Sequence, residues 1–219
     1  MFGTFSLSQT GRSVLAQHLS QPIIFNVTNP TSAYPGASVA NWDAVSAPGS
    51  VSCGANSVIN TDKFTYSGVL DFGNSSGTSA TISSFLGSDS VSDLDLAFGN
   101  LQYSKGSIGN GTATTTFYLF EGLSAFTAGT FDIAHDDGVL VLDDGVELGG
   151  RAGPTSQVGT SVSGFNSGIV SFLYVSTNSD PSVLRVDSDV SPVPLPAGVL
   201  LMGTALAGFG VMRRRKKAA

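Results

Sequence analysis

The side chains best suited to chemistry gather in residues 126–151, FTAGTFDIAHDDGVLVLDDGVELGGR. His135, Asp136 and Asp137 are consecutive there, and a second acidic pair, Asp143-Asp144, follows. Each catalytic use of these groups meets an obstacle. A zinc site needs further His or Cys ligands, and the remaining candidates, His18 and Cys53, are distant in sequence. Glycoside hydrolysis takes two carboxyl groups facing one cleft; with Glu121 and Glu147 as the only glutamates, no such pair is evident. A Ser–His–Asp arrangement is open in principle because serines abound, yet a histidine on a sheet turn is expected at the surface. The expectation is a protein without catalytic activity.

These residues need a frame, and before residue 193 the frame reads as strands. Helical periodicity is weak, whereas period-two alternation recurs between clusters of Gly, Asn, Asp and Ser. Strands are expected at Ile23–Val27, Lys63–Phe72, Ser79–Leu86, Leu94–Phe98, Thr114–Phe120, Thr130–Ala134, Val139–Leu142, Ile169–Val175 and Val183–Val186. Lys63–Phe72 and Ser79–Leu86 are expected to pair across the turn-rich residues 73–77, and Val14–Leu19 to form one helical turn. Strands at this spacing point to an all-β protein, a β-sandwich. Phe131 and Ile133 alternate toward its interior, His135 to Gly138 turn the chain, and Asp143-Asp144-Gly145 marks a tight hairpin. Asp143 and Asp144 are therefore expected to serve that hairpin, not a metal. Asp89, Asp93 and Asp95 read as the wet face of an edge strand, with a metal site as the alternative. Trp42, Tyr34 and Tyr118 could stack on sugar rings if exposed, although aromatics in a sandwich are more often core. Cys53, the lone cysteine, reads as a buried small hydrophobe and leaves no partner for a disulfide.

Residues 114–188, and above all TTTFYLFEGLSAFTAGTFDIAHDDG, resemble the protective-antigen-like β-sandwich domain of bacterial toxins, glycosidases and fungal adhesins. The signature is a strand ending in an acidic pair and a small residue, then a hydrophobic strand and an Asp-Gly turn. In the lectin branch of that family the paired aspartates, joined by a cis peptide, hold a calcium ion that also binds sugar hydroxyls. The resemblance assigns that role to Asp136 and Asp137. Ca²⁺ takes 6–8 hard oxygen ligands, and vicinal hydroxyls can complete its shell. A later loop should add a ligand, Asn166 or Asn178. Asn166 is preferred because the glycines near it allow close backbone approach. The same Asp-Asp-Gly is also a good β-turn in its own right, so a purely structural role stays open.

The C-terminus gives an address. Leu195 to Met212 run without a charge, and Arg213, Arg214, Arg215, Lys216 and Lys217 follow. Such a segment is long enough to span a bilayer as one transmembrane helix, and the cations hold its end in the cytoplasm. Val193, Pro194, Leu195, Pro196 and Ala197 precede it; the prolines keep this stretch extended, a form a protease can grip. The order of the three parts resembles the PEP-CTERM sorting signal in its VPLPA variant, found on exported proteins of exopolysaccharide-making Gram-negative bacteria. The resemblance implies an exosortase-type membrane protease that recognises the tail. Without the five terminal cations, five basic residues stand against 16 acidic ones, a net charge of −11 that repels nucleic acid. Residues 1–20 contain Arg12 but no apolar run of a signal peptide, so the true start is expected upstream of Met1, or export takes another route.

The expected plan is therefore residues 1–20 of uncertain role, a β-sandwich ectodomain at 21–188, a Pro-rich linker and sorting motif at 189–197, a membrane helix at 195–212 and a basic tail at 213–219. The expected function is adhesion or carbohydrate binding at the cell surface or in the extracellular matrix, with exopolysaccharide or a surface glycan as partner. A matrix protein without a specific ligand is the alternative, and a surface hydrolase a more remote one.

Overall fold

The computed structural model describes residues 19–29, 36–47, 58–67, 69–74, 81–87, 91–104, 113–166, 168–177, 181–189 and 191–192. In chain order the elements are β1 (Leu19–Ser20), β2 (Ile23–Asn29), α1 (Val39–Ser46), β3 (Val58–Lys63), β4 (Thr65–Ser67), β5 (Asp71–Asn74), α2 (Ile82–Leu86), β6 (Val91–Ser92), α3 (Leu96–Gly99), β7 (Ala113–Ala128), β8 (Thr130–Asp136), β9 (Gly138–Asp143), β10 (Val146–Arg151), β11 (Val158–Ser163), β12 (Ile169–Ser176), β13 (Ser182–Ser188) and β14 (Ser191–Pro192). One sheet runs β10-β9-β12-β7-β2-β3 with β14 added on β7; a second runs β11-β8-β13-β5; a small third is β1-β4-β6. The protein is mostly β-sheet with few helices.

Alternation along the strands decides which side chains meet between the two large sheets. Tyr118, Phe120, Val139, Val141, Phe172 and Tyr174 face Phe72, Phe131, Ile133, Leu184 and Val186 in one buried cluster. Rings meet across the gap: Phe72 stacks on Phe120 at 5.5 Å, and Phe131 meets Phe172 edge-on at 5.1 Å. The larger sheet is covered on its outer face too. There α1, capped by the Ser38 hydroxyl on the Asn41 N–H, brings Val45 and Trp42 onto Val27, Phe117, Leu140 and Val175. Both faces of β9 are therefore covered, and all six of its residues are buried. Such a strand reads as a continuous apolar run.

Strands appear where expected around Ile23–Val27, Thr114–Phe120, Thr130–Ala134, Val139–Leu142, Ile169–Val175 and Val183–Val186. Two expected strands are helices instead. Within the expected strand Ser79–Leu86 the chain forms α2 over Ile82–Leu86, because Thr81 and Ser84 make a reciprocal capping box. In 94–98 it forms α3, where the Asp95 carboxylate accepts the Phe98 N–H at 2.8 Å; Asp95 caps a helix and does not line an edge strand. The expected strand Lys63–Phe72 is divided among the end of β3, β4 and β5, and β5 pairs with β13, while residues 82–86 of its expected partner are helical. α1, β3 and β11 had no counterpart in the sequence reading. Leu19, expected to close a helical turn, is instead a strand residue opposite Ser67. The expected linker 189–197 starts as structure, since Ser191 and Pro192 pair with Ala128 and Phe126.

No helix among the described residues is long and apolar enough to cross a membrane. The expected span 195–212, the motif 193–197, the cations 213–217, residues 14–18 of the expected helical turn, Tyr34, Cys53 and Asp89 lie outside the described residues.

Phe120 lies within 6.5 Å of Phe64, Tyr66, Phe72 and Tyr118. Phe120→Ala is expected to cost about 3–5 kcal/mol in urea unfolding. Leu96→Ala, at a side chain 79 % exposed, should stay within about 0.5 kcal/mol of the parent.

Candidate functional site at the Asp136-Asp137 crossing

β8 belongs to the four-stranded sheet and β9 to the larger one. Asp136-Asp137-Gly138 is thus the point where the chain crosses between sheets, not the simple return turn read from the sequence. The 136–137 peptide is cis. Gly138 is required by close approach, because a Cβ there would stand 2.1 Å from the Ala152 carbonyl oxygen.

Asp137 is 1 % exposed, and its carboxylate is engaged through both oxygens. Oδ1 accepts the Thr155 N–H at 3.2 Å, and Oδ2 accepts the Thr177 N–H at 2.7 Å. One side chain therefore fastens the β10–β11 connection and the end of β12 to the crossing. The Asp136 carboxylate accepts the Gln157 N–H, and its backbone carbonyl accepts the Tyr174 hydroxyl.

His135 does not sit at the surface as expected: it is fully buried. Alternation explains this, since it continues the inward series Phe131, Ile133. Its Nδ1 faces the Asp137 carbonyl, which can only accept, so Nδ1 carries the proton. Burial lowers its pKa, against the bond to that carbonyl, while Arg151 adds to the lowering. The ring is then neutral at pH 7, and Nε2 accepts the Thr160 hydroxyl at 2.8 Å. Both nitrogens hold the strand end in place.

Burial pushes Asp136 up to about 6, against the Gln157 N–H. It pushes Asp137 up to about 7, with the Thr177 N–H opposing and the neighbouring Asp136 charge adding. No ion pair to either carboxylate occurs among the described residues. Two adjacent carboxylates withdrawn from water without a counter-ion can take a proton or a hard cation. Each Asp137 oxygen accepts only one N–H and keeps a second lone pair.

Asn166 is not brought to this pair. Its N–H donates to Asp143 Oδ2 at 2.6 Å, and Asp143 is at the opposite end of β9. At about 3.3 Å per residue, the length of β9 puts it some 20 Å away. The β12–β13 connection, by contrast, starts at Thr177 beside Asp137; Asn178 itself lies outside the described residues. Asp143-Asp144-Gly145 is the expected hairpin, with Val146 opposite Asp143 and positive φ at both Asp144 (48°) and Gly145 (79°). Tyr118 is buried, and Trp42 packs edge-on against Phe25 at 5.1 Å. No three His, Cys, Asp or Glu side chains converge as metal ligands among the described residues.

No protein-family profile matches this chain, and a comparison with curated proteins finds no match. Among solved structures, the chain is similar to a PA14 sugar-binding domain from an RTX adhesin, at 16 % identity and a TM-score of 0.47 over 78 % of this chain and 90 % of that one. It is also similar to the PA14 domain of the antifreeze protein MpAFP, at 15 % identity and a TM-score of 0.42 over 85 % and 87 %. A GH31 α-xylosidase from Xanthomonas citri matches at 8 % identity and a TM-score of 0.38, over 84 % of this chain but 16 % of the enzyme.

Asp137→Ala strands two backbone N–H groups, Thr177's in the interior. Stability in urea is expected to fall by about 1–3 kcal/mol for each N–H left unpaired, with Asp137→Asn losing roughly half as much. The raised pKa values also set a pH dependence. Protonation is favoured in the folded state, so this stability is complete below about pH 4 and is lost as pH rises through 6 and 7. In chelator, the melting temperature of the parent should therefore fall more between pH 5 and 8 than that of an Asp136→Asn, Asp137→Asn variant.

Proposed function

We propose that this chain is an exported, non-catalytic surface protein whose sandwich binds carbohydrate through a calcium ion held at Asp136 and Asp137. The observation that carries this reading is the adjacent, buried pair of carboxylates at the sheet crossing, without an ion-pair partner among the described residues. Ca²⁺ would supply their counter-charge and open coordination positions for vicinal sugar hydroxyls. The protein's own part is to hold the pair in place: Thr155, Gln157 and Thr177 fix the carboxylates through backbone N–H groups. The Thr177 end of the β12–β13 connection borders the pair and is the natural source of further oxygens. Export rests on the C-terminal segment 193–217, whose order of VPLPA motif, uncharged run and cation cluster supports sorting by an exosortase-type protease.

One observation favours the rival, a matrix protein without a specific ligand. Both Asp137 oxygens already serve the fold, which is the role a purely structural aspartate would have.

Calorimetric titration of the full chain with CaCl₂ separates the two readings. We expect the calcium bound at the crossing, one ion per chain, to be lost from the binding heat in Asp136→Asn, and a glycan-array signal that vanishes in chelator. Equal heat from parent and variant would rule out the lectin reading. Sequencing of the mature C-terminus tests the address: retention of Arg213 to Lys217 would mean the tail is not processed.

A further inference from the structure

The other end of β9 carries a second acidic pair that the lectin reading does not use. The Asp143–Asp144 corner lies where the β11–β12 connection crosses back between sheets, and its carboxylates are held in a matched way. Asp143 Oδ2 accepts the Asn166 N–H at 2.6 Å. Asp144 Oδ1 accepts the Ile169 N–H at 2.8 Å, while the Asp144 N–H donates to the Ile169 carbonyl at 3.0 Å. Each carboxylate thus has one oxygen tied to backbone and the other turned toward Gly168.

A Cβ built on Gly168 would stand 1.9 Å from Asp143 Oδ1 and 2.7 Å from Asp144 Oδ2. The two remaining oxygens therefore both press close against Gly168, at a position where only a residue without a Cβ fits. They stand within the span of about 5 Å that two oxygen ligands of a single Ca²⁺ can reach. Asp143 is 4 % exposed, and its Oδ1 is buried with no hydrogen-bond partner. A buried carboxylate oxygen without a donor is costly unless a charge or proton answers it. The described cations stand elsewhere: Arg185 pairs with Asp71, Arg151 ends β10 opposite Val139, and Lys63 is on the far edge strand β3.

We infer that Asp143 Oδ1 and Asp144 Oδ2 bind a hard divalent cation at this pole, separate from the Asp136-Asp137 crossing. Water and backbone oxygens complete the shell. The cation clamps the β9–β10 hairpin to the β11–β12 connection and so neutralises the end of the sandwich remote from the lectin site. The hairpin role expected for these residues is compatible with this, because the hairpin geometry is what aims both carboxylates at Gly168.

The test uses the full chain in an Asp136→Asn, Asp137→Asn background, so that the outcome does not depend on the lectin reading. CaCl₂ titration by calorimetry is expected to show one remaining ion per chain. Adding Asp143→Asn and Asp144→Asn should remove it. Gly168→Ala, which keeps both carboxylates but whose Cβ would push both oxygens out of place, should weaken binding at least tenfold. No calcium heat in the background variant would overturn the inference, as would heat left unchanged by Gly168→Ala or by the Asn pair.

Discussion

The structure depends on a buried carboxylate at the point where the chain changes sheets. A β-sandwich must carry its backbone from one layer to the other, and the residues that do so leave the hydrogen-bonded ladders with donors unpaired. Asp137 answers that need at one pole. Its two oxygens take the Thr155 and Thr177 amides, joining loops that sequence separates widely. His135 locks the same corner from the inside, between the Asp137 carbonyl and the Thr160 hydroxyl. Holding this arrangement requires an acid group in an environment that disfavours its charge, and that tension is the ground for proposing a cation at the corner.

The same logic recurs at the other end of β9. This strand is covered on both faces and lies between β10 and β12, so its ends are the fixed points to which the crossing loops attach. Asp137 stands just before it and Asp143 closes it. The difference between them is how far the carboxylate is satisfied by backbone: through both oxygens for Asp137, through one for Asp143. Strength of attachment and availability of oxygen ligands therefore trade against one another along a single strand.

Much of this was legible in the sequence, for identifiable reasons. The long apolar runs of β9 and β12 and the Asp-Gly hairpin are strong local signals. α2 and α3 were misread because short runs rich in apolar residues fit either a strand or a helix; the deciding features, the Thr81–Ser84 box and the Asp95 cap, occupy single positions. β11 was missed because VGTSVS alternates small side chains, with Val162 its one fully buried residue. His135 could have been assigned to the interior by extending the alternation Phe131, Ile133 by two residues. Asn166 was placed at the wrong pole by its local glycines. Successive antiparallel strands put alternate connections at opposite ends, so counting from the 136–137 crossing sends Asn166, after β11, away from it and Thr177, after β12, back toward it.

The central claim is that the Asp136-Asp137 crossing is a cation site built into the scaffold. Anomalous scattering at long X-ray wavelength, from crystals grown with CaCl₂, tests it most directly. The account predicts a calcium peak about 2.3–2.6 Å from oxygens of Asp136 and Asp137, with the Thr155 and Thr177 amides still on the Asp137 carboxylate. An empty crossing, with both aspartates bonded only to backbone amides, would contradict it.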